Sequence, residues 1–485
     1  MKRLLSVMIA AVCIQAMAQT DVNEARIRDF YVSHVLDSLE GRDWLLTEGF
    51  LTDAFLAKAK ERGMALTIVP MMMRDNEADA AWLSEVEAMN RDALTVAASL
   101  SPLVFARLWI SDCPEEAVRR LALLVMPDVW TAEGRAAIPN QLVFLGGSEA
   151  DAQKDVEKRF RDHEEFWDEV GEALMMTDGK ETQAETAALK QRLRRQTSWV
   201  ANNLGVALLR AGKTNEAFTA FTRAAILDTS NVSAMLNKVV LIKNGVRPEL
   251  TQQASLELDA LMATPPHPGL LWGLTQNCGE VAEPDSFVQF GWYWGLSGIP
   301  SIQGERWIAL LERVPEADRK GVAGMLMAAQ MGQTGGSDML LSLVRMWKDP
   351  DGPFVGMPPK AFAPYIQGSL LLQQKQYAAA EALLKRSLEA GESYSALNDY
   401  AMVMVETRRF ADAEAWARKA IALKADDSSA YDTLGLALEG QDKLDDALAA
   451  LTKALALATE EGNEAAIKEA REHRDRVRQK RQNPE

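Results

Sequence analysis

Small residues recur inside helical patterns at Gly368, Ala401 and Gly435, spaced 33 and then 34 residues apart. Leu371, Met404 and Leu438 follow three positions later, and Ala380, Ala413 and Ala447 twelve later. Leu384, Ala417 and Leu451 come sixteen later, and Ser387, Ala420 and Ala454 nineteen later. Tyr377, Phe410 and Leu444 each open the second helix of a unit. A period of this length leaves the chain few choices. Each unit is a helical hairpin too small to bury its own apolar face, so the hairpins must stack, and the core runs from one to the next.

These positions resemble the tetratricopeptide repeat (TPR) family, in which small residues let two antiparallel helices approach and large ones fill the gap between pairs. A fourth copy, Ala201 to Thr229, carries Leu204-Gly205, Leu208, Gly212, Ala217, Phe221 and Ala224 at the family spacings. Thr229, Ala425 and Thr459 stand where the family usually ends a repeat on proline, and only Tyr431 supplies an aromatic at the first aromatic position. The expected fold class is mostly α: a TPR-like α-solenoid of helical hairpins preceded by a small α/β domain. One repeat is expected at about 198–231 within a helical stretch at 149–265, and three over 359–465. Between them, Val232 to Met262 reads as a further hairpin broken at Gly245 and Pro248, followed by the Thr264–Pro268 punctuation. An aromatic-rich segment of degenerate repeats, 266–358, uses Trp272, Trp292, Trp294, Trp307 and Trp347 as core. Residues 466–485 read as a charged capping helix or tail, with the polar outer face that the end of a solenoid requires.

The N-terminal residues predict export. Lys2 and Arg3 precede the apolar run Leu4 to Ile14, and Ala16-Met17-Ala18 supplies a small–x–small cleavage pattern, so residues 1–18 read as a signal peptide cleaved after Ala18. The expected destination is the periplasm or the exterior of a bacterial cell. No later run is long and apolar enough to span a bilayer. Only Cys113 and Cys278 remain after cleavage, which excludes a disulfide framework and a thiol–zinc site but leaves a single bridge or two thiols open.

Residues 19–148 carry a different rhythm. An amphipathic helix, Val22 to Glu40, leads to a strand at Trp44–Thr47, a helix at Leu51–Arg62 and a strand at Ala65–Met71, an order that implies a parallel pair. Helices near 78–100 and 114–125 and a strand at 141–145 complete the expected small α/β domain. Ligands of such sheets collect at the carboxyl ends of strands. Glu48 is expected there, as is Asp112 if 106–111 is a strand, and these two carboxylates are the candidate catalytic or metal-binding groups. The stretch Gly41 to Gly49 is similar to soluble regions beside protein O-mannosyltransferase-like membrane proteins, which implies envelope glycan as a ligand class.

Other chemistry is sparse. The formal charge of −16 excludes broad nucleic-acid binding. His34, His163, His267 and His473 are too scattered for a multi-histidine metal centre, and His163 reads as a solvated residue of a charged helical face. Neither a GxGxxG after a strand nor a GxSxG elbow occurs; Gly146-Gly147-Ser148 is too short to signal phosphate binding. No metal and no cofactor is expected, and an enzyme is less expected than a binding protein. The TPR resemblance implies a concave groove lined by first-helix residues: Asn202 and Arg210 in the early copy, then Tyr365, Asn398, Asp399, Met402, Glu406, Asp432 and Glu439. Their mixed apolar and acidic character implies a protein partner whose bound segment is apolar and neutral to basic. The leading expectation is an exported interaction scaffold or adaptor in envelope assembly or maintenance. The alternative is an enzyme or small-ligand binder centred on the N-terminal domain.

Overall fold

The computed structural model describes residues 24–71, 77–125, 127–175, 184–229, 231–263, 336–350, 352 and 354–482. The signal peptide expectation, the Thr264–Pro268 punctuation, Cys278 and the tryptophans from 272 to 307 lie outside them. Internal contacts divide the chain into two units. The first takes the described residues up to 85 and those from 101 to 338; the second takes 86–100 and those from 339 onward.

In the first unit α1 (24–37) precedes β1 (Trp44–Thr47), α2 (Thr52–Glu61) and β2 (Thr67–Pro70). β1 and β2 pair in parallel, Trp44 opposite Thr67 and Thr47 opposite Pro70, as the strand–helix–strand rhythm implied. The segment expected as one helix over 78–100 is two, α3 (Glu77–Ala88) and α4 (Asp92–Leu100), because Asn90 takes a left-handed backbone (φ 53°) between them. α4 belongs by its contacts to the second unit. The region weighed as a strand at 106–111 is α5 (Pro102–Asp112), started by the Ser101 hydroxyl accepting from the Leu103 N–H with proline in the first turn.

The helix read over 114–125 stops early. α6 (Pro114–Arg120) gives way to β3 (Leu121–Leu123), which pairs in parallel with β1 and antiparallel with β5. A short apolar run buried on all sides carries no period to distinguish strand from helix, so only its neighbours decide. α7 (Asp128–Thr131) leads to the hairpin β4 (Ala136–Asn140) and β5 (Val143–Gly147), which completes the order β2-β1-β3-β5-β4. Sequence reasoning missed β4 because Pro139 lies within it; as an edge strand it tolerates the missing donor. Gly146 is pressed against the Trp130 ring, which lies 2.4 Å from where a Cβ would stand, so packing explains this glycine.

The sheet is covered on both faces. Trp44 turns to α5, with ring centroids 5.0 Å from Trp109 and 5.7 Å from Phe105. Its neighbour Leu45 faces the other way, into a core with Val35, Phe55 and Ile68. That core continues into α8 (Glu149–Gln153), α9 (Val156–Met175), α10 (Ala184–Arg210), α11 (Thr214–Leu227), α12 (Val232–Lys243) and α13 (Thr251–Ala263). α10 and α11 form the early repeat. A Cβ on Gly205 would lie 2.5 Å from the Phe221 ring, so glycine there is what lets the two helices close. α12 and α13 are the hairpin broken at Gly245 and Pro248.

The second unit adds α14 (Gly336–Lys348), then α15 (Pro359–Gln373), α16 (Tyr377–Ala390), α17 (Tyr394–Glu406), α18 (Phe410–Leu423), α19 (Ser428–Gly440), α20 (Leu444–Glu461) and α21 (Glu464–Gln482). Tyr377, Phe410 and Leu444 are the first residues of their helices, as the repeat implied. The turns are made alike. Lys375, Arg408 and Asp442 take left-handed backbone at φ 61°, 60° and 60°, where the early repeat uses Gly212. After each, a backbone N–H reaches back to the carbonyl of Leu371, Met404 or Leu438, closing the first helix. The large residue three positions after each small one is thus also where the turn locks. Gly368 and Gly435 sit under Leu384 and Leu451. The expected capping helix is α21, whose Val477 joins the last core with Leu434, Leu438 and Leu451. Trp347, as expected, is structural: its indole N–H donates to the Met357 carbonyl at 2.9 Å.

Candidate functional site

The residues named for the groove do not share one fate. In the early copy Asn202 is fully buried and accepts from the Asn237 amide at 2.9 Å, so it holds helices together. Arg210 is partly exposed and pairs with Glu149 at 3.6 Å.

In the second unit the first helices α15, α17 and α19 lie side by side. Tyr365 on α15 and Asp399 on α17 come together: the hydroxyls of Tyr365 and Ser369 bond the Asp399 carboxylate. Burial, opposed by these two hydroxyls and reinforced by nearby Asp427, lifts the Asp399 carboxyl to about 6. Burial and the adjacent carboxylate also push the Tyr365 phenol up. Asn398 and Met402 are half-buried beside them. Glu406, exposed at the end of α17, accepts from the Tyr377 hydroxyl at 2.7 Å.

The two acids on α19 are taken by α21. Asp432 accepts from His473 at 2.9 Å, and Glu439 forms a paired contact with the Arg476 guanidinium at 2.6 and 3.1 Å. Lys480 and Arg481 reach Asp442 and Asp445 at 3.1 and 2.8 Å. The capping helix therefore seats on the last repeat through a basic edge as well as through Val477. The sequence held part of the signal: His473, Arg476 and Lys480 recur on one side of a helix that follows a repeat rich in acids.

Glu48 is at the carboxyl end of β1, as expected, but it is no open catalytic acid. Arg192 and Arg195 of α10 both bond its carboxylate, Arg195 at 3.1 Å. Arg192 lies over the Phe50 ring at 4.3 Å and Arg195 over Trp199 at 4.9 Å. The gap beside this cluster, bordered by Tyr31, Thr47 and Gln196, is about 20 Å³, room for one water. Glu48 thus ties the sheet to the helices behind it. Its side chain is 42% exposed and those of the arginines 35% and 41%, so screening keeps the contribution small. Glu48→Gln is expected to lower the stability of the first unit by no more than about 1 kcal/mol in denaturant unfolding. Asp112 ends α5 instead of a strand, so the expectation that it joins Glu48 at the sheet edge is corrected. A larger cavity, about 740 Å³, opens beyond the ends of β1 and β2, bordered by Leu51, Thr52, Pro70 and Leu189 with the acids Glu24 and Asp53. Among the described residues no group of three His, Cys, Asp or Glu is placed to hold a metal. None of their helices is long and apolar enough to cross a membrane.

Stacked helical hairpins ending in a polar capping helix, with first helices presenting a shared face, define a helical-repeat solenoid. The family model described as tetratricopeptide repeat matches residues 365–430, from α15 into α19. No curated protein matches the chain. Solved structures that resemble it weakly include two of yeast proteins. The TPR2AB domain of yeast Sti1, in a complex with pHSP90, is 14% identical over 58% of this chain and 98% of its own, with a TM-score of 0.23. Yeast Tom70 is 12% identical over 98% of this chain and 86% of its own, also at 0.23. At such scores neither likeness carries a structural argument.

Proposed function

We propose that this protein is an exported interaction scaffold of the bacterial envelope, cleaved after Ala18, whose C-terminal repeats hold a segment of a protein partner against α15 and α17. The observation that carries this reading is the character of that face: half-buried Leu372, Met402 and Val405 beside the Tyr365–Ser369–Asp399 cluster. An apolar strip with a few placed polar groups is what helix-in-groove and extended-peptide recognition require. α19 contributes less, because α21 already occupies its acids.

The test is affinity capture of the tagged mature protein from bacterial envelope extract, with Met402→Glu as control. Met402 is half-buried, so a carboxylate there is expected to leave the fold intact while charging the strip. The expected result is a stoichiometric protein partner lost in Met402→Glu. A partner retained by that variant would overturn the groove reading.

The cavity of about 740 Å³ favours a second reading, a small-ligand site in the first unit. Carboxylates at its rim suit a polyhydroxylated ligand such as an envelope glycan. A glycan panel that failed to raise the unfolding temperature of the protein would remove this reading.

A further inference from the structure

Asp399 is held between hydroxyl donors of the neighbouring first helix, Tyr365 and Ser369. Two hydroxyls satisfy part of what a carboxylate accepts, since its oxygens offer about four acceptor sites. The charged neighbour it feels most is a second acid, Asp427. One residue earlier, the side-chain oxygen of Asn398 is buried and has no hydrogen-bond partner among the described residues. Two adjacent residues thus present acceptor capacity that nothing among the described residues fills. A buried acceptor left unmatched is unfavourable, and an incoming donor removes that penalty.

The next repeat displays the kind of group this face takes. Asn398 and Asp432 hold the same place, three residues before the small residue of their repeats, Ala401 and Gly435. Asp432 receives His473 at 2.9 Å, and one helical stretch further on Glu439 receives Arg476 at 2.6 Å. In both cases a first-helix acid meets a basic side chain delivered by a helix laid alongside. The first helix that follows α17, α19, carries no Lys, Arg or His and offers Thr433 and Leu436 at the matching turn.

We infer that the cluster of Tyr365, Ser369, Asn398 and Asp399 is an acceptor site for one basic side chain, Lys or Arg, of the partner segment; this rests on reading the first-helix face as a partner surface. The Asp399 carboxylate and the Asn398 oxygen receive the cation's N–H donors. Met402 and Leu372, half-buried at the border, lie against its methylene stem. With a carboxyl lifted to about 6, Asp399 is ionised at neutral pH in a poorly hydrated place, and a cation relieves that state.

The test uses the full mature chain and a random library of N-acetylated, C-amidated decamer peptides, selected at low salt against wild type, Asp399→Asn and Met402→Glu. Asp399→Asn keeps the shape and removes a half-buried charge, so its thermal midpoint is expected to stay level or rise, which separates lost binding from lost folding. The expected result is a selected peptide with Lys or Arg at one fixed position, bound at least tenfold more weakly by Asp399→Asn. Changing that Lys or Arg to Gln is expected to weaken binding to wild type by a similar factor, with no further loss when both changes are combined. Peptides that bind through the strip, as judged by loss in Met402→Glu, yet lack a fixed basic position or ignore Asp399→Asn would overturn the acceptor site and leave the groove standing. No selected peptide, or only peptides indifferent to Met402→Glu, would overturn both.

Discussion

Phe221→Ala is expected to destabilise the first unit by about 3–5 kcal/mol, the range for removing a fully buried aromatic ring. The ring is 0% exposed and fills the space that Gly205 leaves on the facing helix. Glycine has no side chain with which to refill that space, so the cavity collapses poorly, and the upper part of the range is expected. The pair can be interrogated from both sides. Gly205→Leu alone is expected to cost about 1–3 kcal/mol or more, because its Cβ would meet the ring at 2.5 Å. The double variant is expected to be less unstable than the two losses added, since the new side chain enters the cavity the other change opens. Urea unfolding of the four proteins checks this. Strict additivity would mean that the close approach of α10 and α11 does not depend on this contact.

The second large effect is on pH dependence. His163 is fully buried on α9, which corrects its reading as a solvated residue. Its Nε2 accepts from the Gln141 N–H at 2.8 Å and its Nδ1 donates to the Arg159 carbonyl at 2.7 Å, which fixes the neutral tautomer. Gln141 is the left-handed turn residue of the β4–β5 hairpin (φ 47°), so this imidazole ties the turn to the helix. Burial holds the imidazole down at about 4, against 6.5 in the unfolded chain. The folded-state value is depressed, so the stabilisation is complete above 6.5 and disappears as pH falls toward 4, by on the order of 3 kcal/mol. His163→Gln keeps an acceptor and cannot charge; the acid loss is expected to shrink by that amount in unfolding curves at pH 7.5 and 4.5. Equal acid losses in both proteins would refute the assignment. His473 has the opposite sign. Its hydrogen bond to Asp432 raises it above 6.5, so its contribution is complete below 6.5 and fades as pH rises through the folded-state value. Being partly exposed, it is expected to contribute less than about 1 kcal/mol.

Much of the second unit was legible because a repeat states its own contacts. Gly368 under Leu384 and Gly435 under Leu451 follow from spacing alone: within a hairpin, positions sixteen apart must meet. The parallel pairing of β1 and β2 was legible for a similar reason, since one helix between two short strands permits little else. β3 and β4 were not. The three residues of β3 continue an apolar helical pattern, and β4 contains a proline; their strand state comes from the edges that β1 and β5 present to them. The candidate site divided along the same line. The resemblance to a repeat family implied one shared face for Asp399, Tyr365 and Met402. That α21 satisfies Asp432 and Glu439, and that Arg192 and Arg195 hold Glu48, required residues 37 to 147 positions apart to be brought together.

The sequence by itself determined the hairpins and their register, because each depends on neighbours within one repeat length. The tertiary structure alone decided which acids on the first-helix face remain open to a partner. A carboxylate looks the same in a sequence whether solvent, a hydroxyl or an arginine will meet it. Only the folded chain fixes which of these lies within hydrogen-bond reach, and the charge available for binding is what those contacts leave.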